Sequence, residues 1–127
     1  MPRVVQFVIL AEHKPGTLAN ICSELAAKAV NISAVMAAHD QPGGVRIVAT
    51  PHQATRKVLD AMNIPFREEE AIAVRVTDRP GALGKLTRKL ADAGINIQYA
   101  YGSIVKGEQR ALIVMGVSDL NKAEKLL

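Results

Sequence analysis

The sequence predicts an α+β fold, a ferredoxin-like βαββαβ unit repeated twice, with antiparallel sheets, helices on one face, and a second repeat lacking its closing strand. Three observations predict it: an internal repeat at a fixed offset, the same order of strand and helix patterns in both copies, and a core composition that is aliphatic rather than aromatic. Setting Lys14-Pro15-Gly16-Thr17-Leu18 over Arg79-Pro80-Gly81-Ala82-Leu83 gives an offset of 80 − 15 = 65. The match then runs without a gap through Leu25/Leu90, Ala26/Ala91, Asn31/Asn96 and Ile32/Ile97. Val45 to Val48 aligns with Ala111 to Val114 when one residue is inserted in the second hairpin. The two copies are expected at residues 1–70 and 71–127.

Each element follows from local pattern. Val4–Leu10 and Ala71–Thr77 are β-branched runs of strand length. In the second, Ile72, Val74 and Val76 alternate with Ala73, Arg75 and Thr77, the period of a strand with one buried face. Pro15-Gly16 and Pro80-Gly81 open helices, with proline expected in the first helical turn, where its missing N–H is not needed. Leu18, Ile21, Cys22, Leu25, Ala26 and Ala29 follow at helical spacing, and Leu83, Leu86, Leu90 and Ala91 repeat the stripe. Gly94 is placed to end the second helix in the left-handed conformation; Ala29 stands at the matching position of the first copy.

Val30–Ala38 and Ile95–Ser103 read as the next strands. Turns at Gln41-Pro42-Gly43-Gly44 and Lys106-Gly107-Glu108 lead into strands Val45–Thr50 and Ala111–Val117. His52–Met62 has a helical stripe of Ala54, Val58, Ala61 and Met62. Phe66–Glu70 forms a short polar closing strand of the first copy, and Leu120–Leu127 allows at most two helical turns in the second. The sheet edge left there is expected to be covered by Phe66–Glu70, by a partner chain or by solvent.

The acidic-x-x-Pro-Gly-x-Leu turn at Glu12–Leu18, the Asp78-Arg79-Pro80-Gly81-Ala82-Leu83 turn, and the Asn31-Ile32 and Asn96-Ile97 pairs that open the next strand resemble the ACT domain, in two copies covering nearly the whole chain. The resemblance implies a small-ligand-binding regulatory module of amino-acid metabolism, holding free amino acids at interfaces between paired units. The candidate ligand-binding residues are Lys14, Pro15, Gly16, Thr17, Leu18, Asn31 and Ile32 in copy one, and Arg79, Pro80, Gly81, Ala82, Leu83, Asn96 and Ile97 in copy two. The chemistry agrees. A helix start carries unpaired N–H groups and the positive dipole end, suited to a carboxylate, and an asparagine amide both donates and accepts, suited to a zwitterion. Copy one departs from the pattern at Ala29 and His13, where Gly94 and Asp78 stand in copy two, so its site is the less regular.

Other residues read as structural. Tyr99 and Tyr101, two apart on one strand, are expected to share a face with Ile95 and Ile97, with Gln98 and Asn96 on the other. His13, His39 and His52 lack zinc spacing and read as surface residues. Cys22 reads as a small buried hydrophobe, and Glu68-Glu69-Glu70 as a solvated edge.

Composition narrows the function. Of 127 residues, 49% are hydrophobic and 3% aromatic with no Trp, which disfavours base-stacking RNA recognition. The net charge of +4 is dispersed, licensing only a weak pull on anions. A single cysteine rules out an internal disulfide and points to the cytoplasm; neither a signal peptide nor a membrane-spanning run is expected. No nucleophile–base set, phosphate loop or cofactor motif is legible, so the expectation is a non-enzymatic sensor without cofactor or metal, neither nucleic-acid nor membrane bound. A homodimer binding an amino acid is the first reading. A detachable regulatory subunit of a biosynthetic enzyme is the alternative.

Overall fold

A computed structural model describes residues 2–38, 44–103 and 109–127 of the chain. The elements are β1 (Arg3–Leu10), α1 (Thr17–Ala27), β2 (Asn31–Ala37), β3 (Gly44–Thr50), α2 (His52–Ala61), β4 (Phe66–Thr77), α3 (Ala82–Asp92), β5 (Ile97–Ser103), β6 (Arg110–Val117) and α4 (Leu120–Leu126). The fold is α+β, with ferredoxin-like order in both copies. The turns expected at 41–43 and 106–108 lie outside the described residues, as do His39 and Asp40.

The chain divides into two compact units, Val5–Glu69 and a second made of Glu70–Leu127 together with Met1–Val4. In the first, β2 pairs with β3 and β3 with β1, all antiparallel, and the Leu10 amide donates to the Pro65 carbonyl at the entry to β4. Phe7, Ile9, Val45, Ile47 and Ala49 from the strands meet Ile21, Leu25, Val58 and Leu59 from the two helices in one buried cluster, so both helices cover the same face. In the second unit, β5 pairs with β6 and β6 with β4. Its core joins Ile72, Met115 and Val117 to Leu90 of α3 and Ala123 of α4.

The register corrects the repeat alignment. Phe7 pairs with Ile47 and Ile72 with Met115, so the first strands differ by 72 − 7 = 65 and the third by 115 − 47 = 68. Three residues, not one, separate the two copies across the hairpin, and Val45–Val48 corresponds to Ile113–Gly116. A short apolar run aligns almost equally well two residues away, because a period-2 pattern repeats itself.

Strand β4 is a single 12-residue strand, where two separate strands were expected. Its first four residues lie in one unit and the remainder in the other. Residues at the start of β1 do the reverse: the Ala73 amide donates to the Pro2 carbonyl at 2.6 Å, so the sheet edge beside β4 in the second unit is met by the beginning of the chain.

The prolines do not sit in the first helical turn. Helices begin at Thr17 and Ala82, and the caps are Gly16 (φ 89°) and Gly81 (φ 86°) in the left-handed region, with each proline one residue earlier in the turn. Only a glycine enters that conformation without strain, which is why Pro-Gly rather than proline alone marks the start. Of the apolar stripes, Ile21, Leu25 and Leu90 are buried and Cys22 is half-buried. Ala26, Ala29, Ala61, Ala91 and Leu83 are exposed, so the buried stripe is narrower than the alanines suggested.

Candidate functional site

The two strand-to-helix loops are built alike. In the first, the Lys14 amide donates to Glu12 O, Thr17 to Lys14 O and Asn20 to Gly16 O; in the second, Arg79 donates to Thr77 O, Ala82 to Arg79 O and Lys85 to Gly81 O. Each bond has its counterpart 65 residues on. Both helices start without a side-chain cap hydrogen bond and without a carboxylate in the first turn. Among the described residues, the positive end of each helix dipole therefore meets no carboxylate from its own first turn.

In the first unit this loop borders a cavity of about 220 Å³. Glu12, His13, Lys14, Thr17 and Leu18 form one side, and Ala37, Ala38, Gly44 and Val45, at the end of β2 and start of β3, form the other. A second recess of about 270 Å³ lies against the turn into β4, sharing Glu12, Lys14 and Thr17 and adding Asn63, Ile64 and Pro65. Thr17 lines both, and its hydroxyl oxygen has no hydrogen-bond partner among the described residues. Lys14 pairs with Glu12 at 3.0 Å, both largely exposed.

The Asn-Ile pairs lie elsewhere. The 11-residue α1 carries the chain about 16 Å, at 1.5 Å per residue, from the loop to the start of β2. There Asn31 pairs with Thr50. In the second unit the Asn96 amide donates to the Ser118 hydroxyl and its carbonyl accepts from the Ser118 amide. Asn96 and Ile97 line a groove of about 450 Å³ beside α3, with Ile95 and with Gly84, Thr87, Arg88 and Ala91 of the helix. The structure thus brings Lys14, Pro15, Gly16, Thr17 and Leu18 together, and likewise Arg79, Pro80, Gly81, Ala82 and Leu83. Within a unit it does not bring Asn31 and Ile32 to the first loop or Asn96 and Ile97 to the second.

The tyrosines are also differently placed. Ile97 pairs with Val117 but Tyr99 with Gly116, so a β-bulge at Gln98 admits one extra residue. It turns Tyr99 and Tyr101 away from the face that Ile97 shares with the helices. The same bulge occurs at Ser33, 65 residues earlier, between Ile32 and Ala34. No sequence signal marks it beyond its repetition.

In the glutamate run Glu68 and Glu70 are exposed and Glu69 half-buried, as a solvated stretch would be, but each is also paired. Arg56 grips Glu68 through Nε at 2.9 Å and Nη2 at 3.0 Å, and His52 contacts the same carboxylate. These hydrogen bonds, Arg56 first and then His52, hold the Glu68 carboxyl below the usual range against an opposing push from partial burial. Glu69 meets Arg46 at 3.4 Å and Gln6 at 3.3 Å, on the face away from the helices, and Arg46 and Gln6 are buried. Glu70 pairs with Arg3 at 2.7 Å. His52 is half-buried against the Phe7 ring, with centroids 4.6 Å apart, rather than a free surface residue. Charges at successive strand positions, with arginines at strand distance, were the available signal. Among the described residues no three metal-binding side chains cluster, and no helix is long and apolar enough to cross a membrane.

A family model described as the ACT domain matches residues 71–127. No curated protein matches the sequence. Among solved structures, a protein from Bacteroides thetaiotaomicron superposes with a TM-score of 0.89 at 23% identity, covering 99% of this chain and 87% of that one. The regulatory subunit of aspartate kinase from Thermus thermophilus, ligand-free, superposes with a TM-score of 0.67 at 16% identity, covering 99% and 88%. Aspartate kinase from Clostridium acetobutylicum, described as an allosteric enzyme, gives 0.62 at 14%, covering 98% of this chain and 32% of that one. At these identities the likeness is one of fold.

Proposed function

We propose that this protein is a non-enzymatic regulatory module of the cytoplasm that binds a free amino acid at its strand-to-helix loops, without cofactor, nucleic acid or membrane. The observation that carries the reading is the duplicated uncapped helix start: two loops of the same hydrogen-bond pattern, each ending in a left-handed glycine, each followed by a first helical turn without a carboxylate. An α-carboxylate fits such a start, with Lys14 or Arg79 adding charge from the loop. In the first unit Glu12 supplies an acceptor for an ammonium and the Thr17 hydroxyl an unused polar group beside the cavity. The ACT match over residues 71–127 points to the same ligand class.

The separation of each Asn-Ile pair from its own loop gives the reading a specific form. In this reading Asn31 and Ile32, or Asn96 and Ile97, join a ligand held at a loop from a second copy of the chain, so the complete site is an interface and the working assembly a homodimer. Ligand there favours whichever packing binds it more tightly, which is the whole basis of its regulatory effect.

A thermal-melt series against the twenty amino acids tests this. One or a few are expected to raise the melting temperature, and Gly81→Ala or Lys14→Ala to weaken the response; a flat series across all twenty overturns the amino-acid reading. The likeness to an aspartate kinase regulatory subunit along nearly the whole chain supports a second role, as the detachable regulatory subunit of a biosynthetic enzyme. Purification from the native host separates the two, since a stoichiometric enzyme partner favours the subunit and a lone homodimer the free sensor.

A further inference from the structure

The second unit contains Arg3, whose side chain meets partners distant in sequence. Arg3 donates from one terminal nitrogen to the Glu70 carboxylate at 2.7 Å and from the other to the Asn121 side-chain oxygen at 2.6 Å. Its Nε is buried and lies 3.5 Å from Glu124, an ion pair without a hydrogen bond. Glu70 belongs to β4, and Asn121 and Glu124 to α4. One guanidinium thus ties β4 and α4 to the segment whose Pro2 carbonyl accepts from the Ala73 amide.

We infer that residues 2–4 are a closing strand for the carboxy-terminal unit and that Arg3 is its clasp, so that holding or releasing this segment controls whether the β4 edge is covered and α4 is fixed. Three reasons converge. A planar guanidinium is suited to several acceptors at once, and charge-assisted bonds at 2.6–2.7 Å are the short, strong kind. The Arg3 side chain is 26% exposed and Glu124 22%, so screening by solvent is partial. An uncovered strand edge also offers unpaired backbone groups to any extended chain, which makes its cover consequential. The helix α4 has only seven residues and one side-chain cap, Asp119 accepting from the Lys122 amide, so it depends on such ties.

Hydrogen exchange on the full-length chain, read amide by amide, tests the clasp. Arg3→Ala is expected to speed exchange at least tenfold at Ala73, whose amide bonds Pro2, and at Ala123 in α4, while the Ile47 and Phe7 amides of the other unit keep their wild-type rates. Arg3→Lys, which keeps the charge but loses the fork, is expected to fall between. No change at Ala73, or the same change at all four amides, overturns the inference. Should Arg3→Ala not give folded protein, Glu124→Gln removes one tie only. It is expected to speed exchange at Ala123 and Ala73, and unchanged rates at both overturn the inference equally.

Discussion

Ala29 holds φ at 58° where its counterpart Gly94 holds 74°, and around both residues the helix ends with the same bonds: Lys28, Ala29 and Val30 donate to Leu25, Ala26 and Leu25, as Ala93, Gly94 and Ile95 donate to Leu90, Ala91 and Leu90. The geometry is a left-handed helix terminus, and an L side chain there is strained by about 1–2 kcal/mol. Ala29→Gly removes that strain but adds freedom to the unfolded chain, leaving a net gain of about 0.5–1 kcal/mol, readable as a higher denaturation midpoint with an unchanged slope. Glu68 carries a second prediction at this scale. Its folded pKa lies below the ordinary value of 4.5, so the stabilisation it contributes is complete above 4.5 and lost as pH falls through the lowered folded value. Glu68→Gln should melt below wild type at neutral pH, and the gap should close in acid; a gap independent of pH would mean the Arg56 and His52 contacts contribute nothing through charge.

At the level of elements, most of the fold was legible because it rests on periodicity: the strands, the helices and their order follow from apolar spacing that the chain states twice. Backbone features that lack a side-chain signature were not legible. The bulges at Ser33 and Gln98 invert the facing of everything after them in β2 and β5, so Tyr99 and Tyr101 fall on the face opposite the one that alternation from Ile95 predicts. The continuity of β4 was hidden because Phe66–Glu70 is charged and Ala71–Thr77 apolar, two compositions that read as two strands although the backbone does not break between them. The loop half of the candidate site was legible for the opposite reason, since Pro-Gly has a strong backbone signature. The bulge also yields a prediction. A Cβ placed on Gly116 would come within 2.1 Å of the Tyr99 ring, which lies over that glycine. Gly116→Val therefore forces the ring away and costs about 1–3 kcal/mol by overpacking. Near-ultraviolet circular dichroism should show the loss of tyrosine asymmetry, and an unaltered tyrosine signal would place the ring elsewhere.

For the molecule as a whole, the decisive property is that the boundaries of the two compact units fall inside strands, and that the second unit is built from two separate stretches of chain. The first ends part-way along β4, and the second takes up both the rest of β4 and the residues before Val5. A unit of about 60 residues is marginal alone because it buries a modest fraction of its surface. The two are joined within secondary structure, since β1 and β4 each continue from one unit into the other. Unfolding of one unit is therefore expected to carry the other with it. Both tyrosines, Tyr99 and Tyr101, lie in the second unit and the chain has no Trp, so tyrosine fluorescence reports that unit alone while far-ultraviolet circular dichroism reports both. In urea the two signals should give coincident midpoints, the mark of a single cooperative transition. Arg3→Ala, which unties residues 2–4 from the rest of the second unit, should move the tyrosine midpoint to lower urea and separate it from the dichroism curve. Two resolved transitions in the wild-type chain would mean that strand sharing does not couple the units, and that each copy of the repeat is stable by its own core.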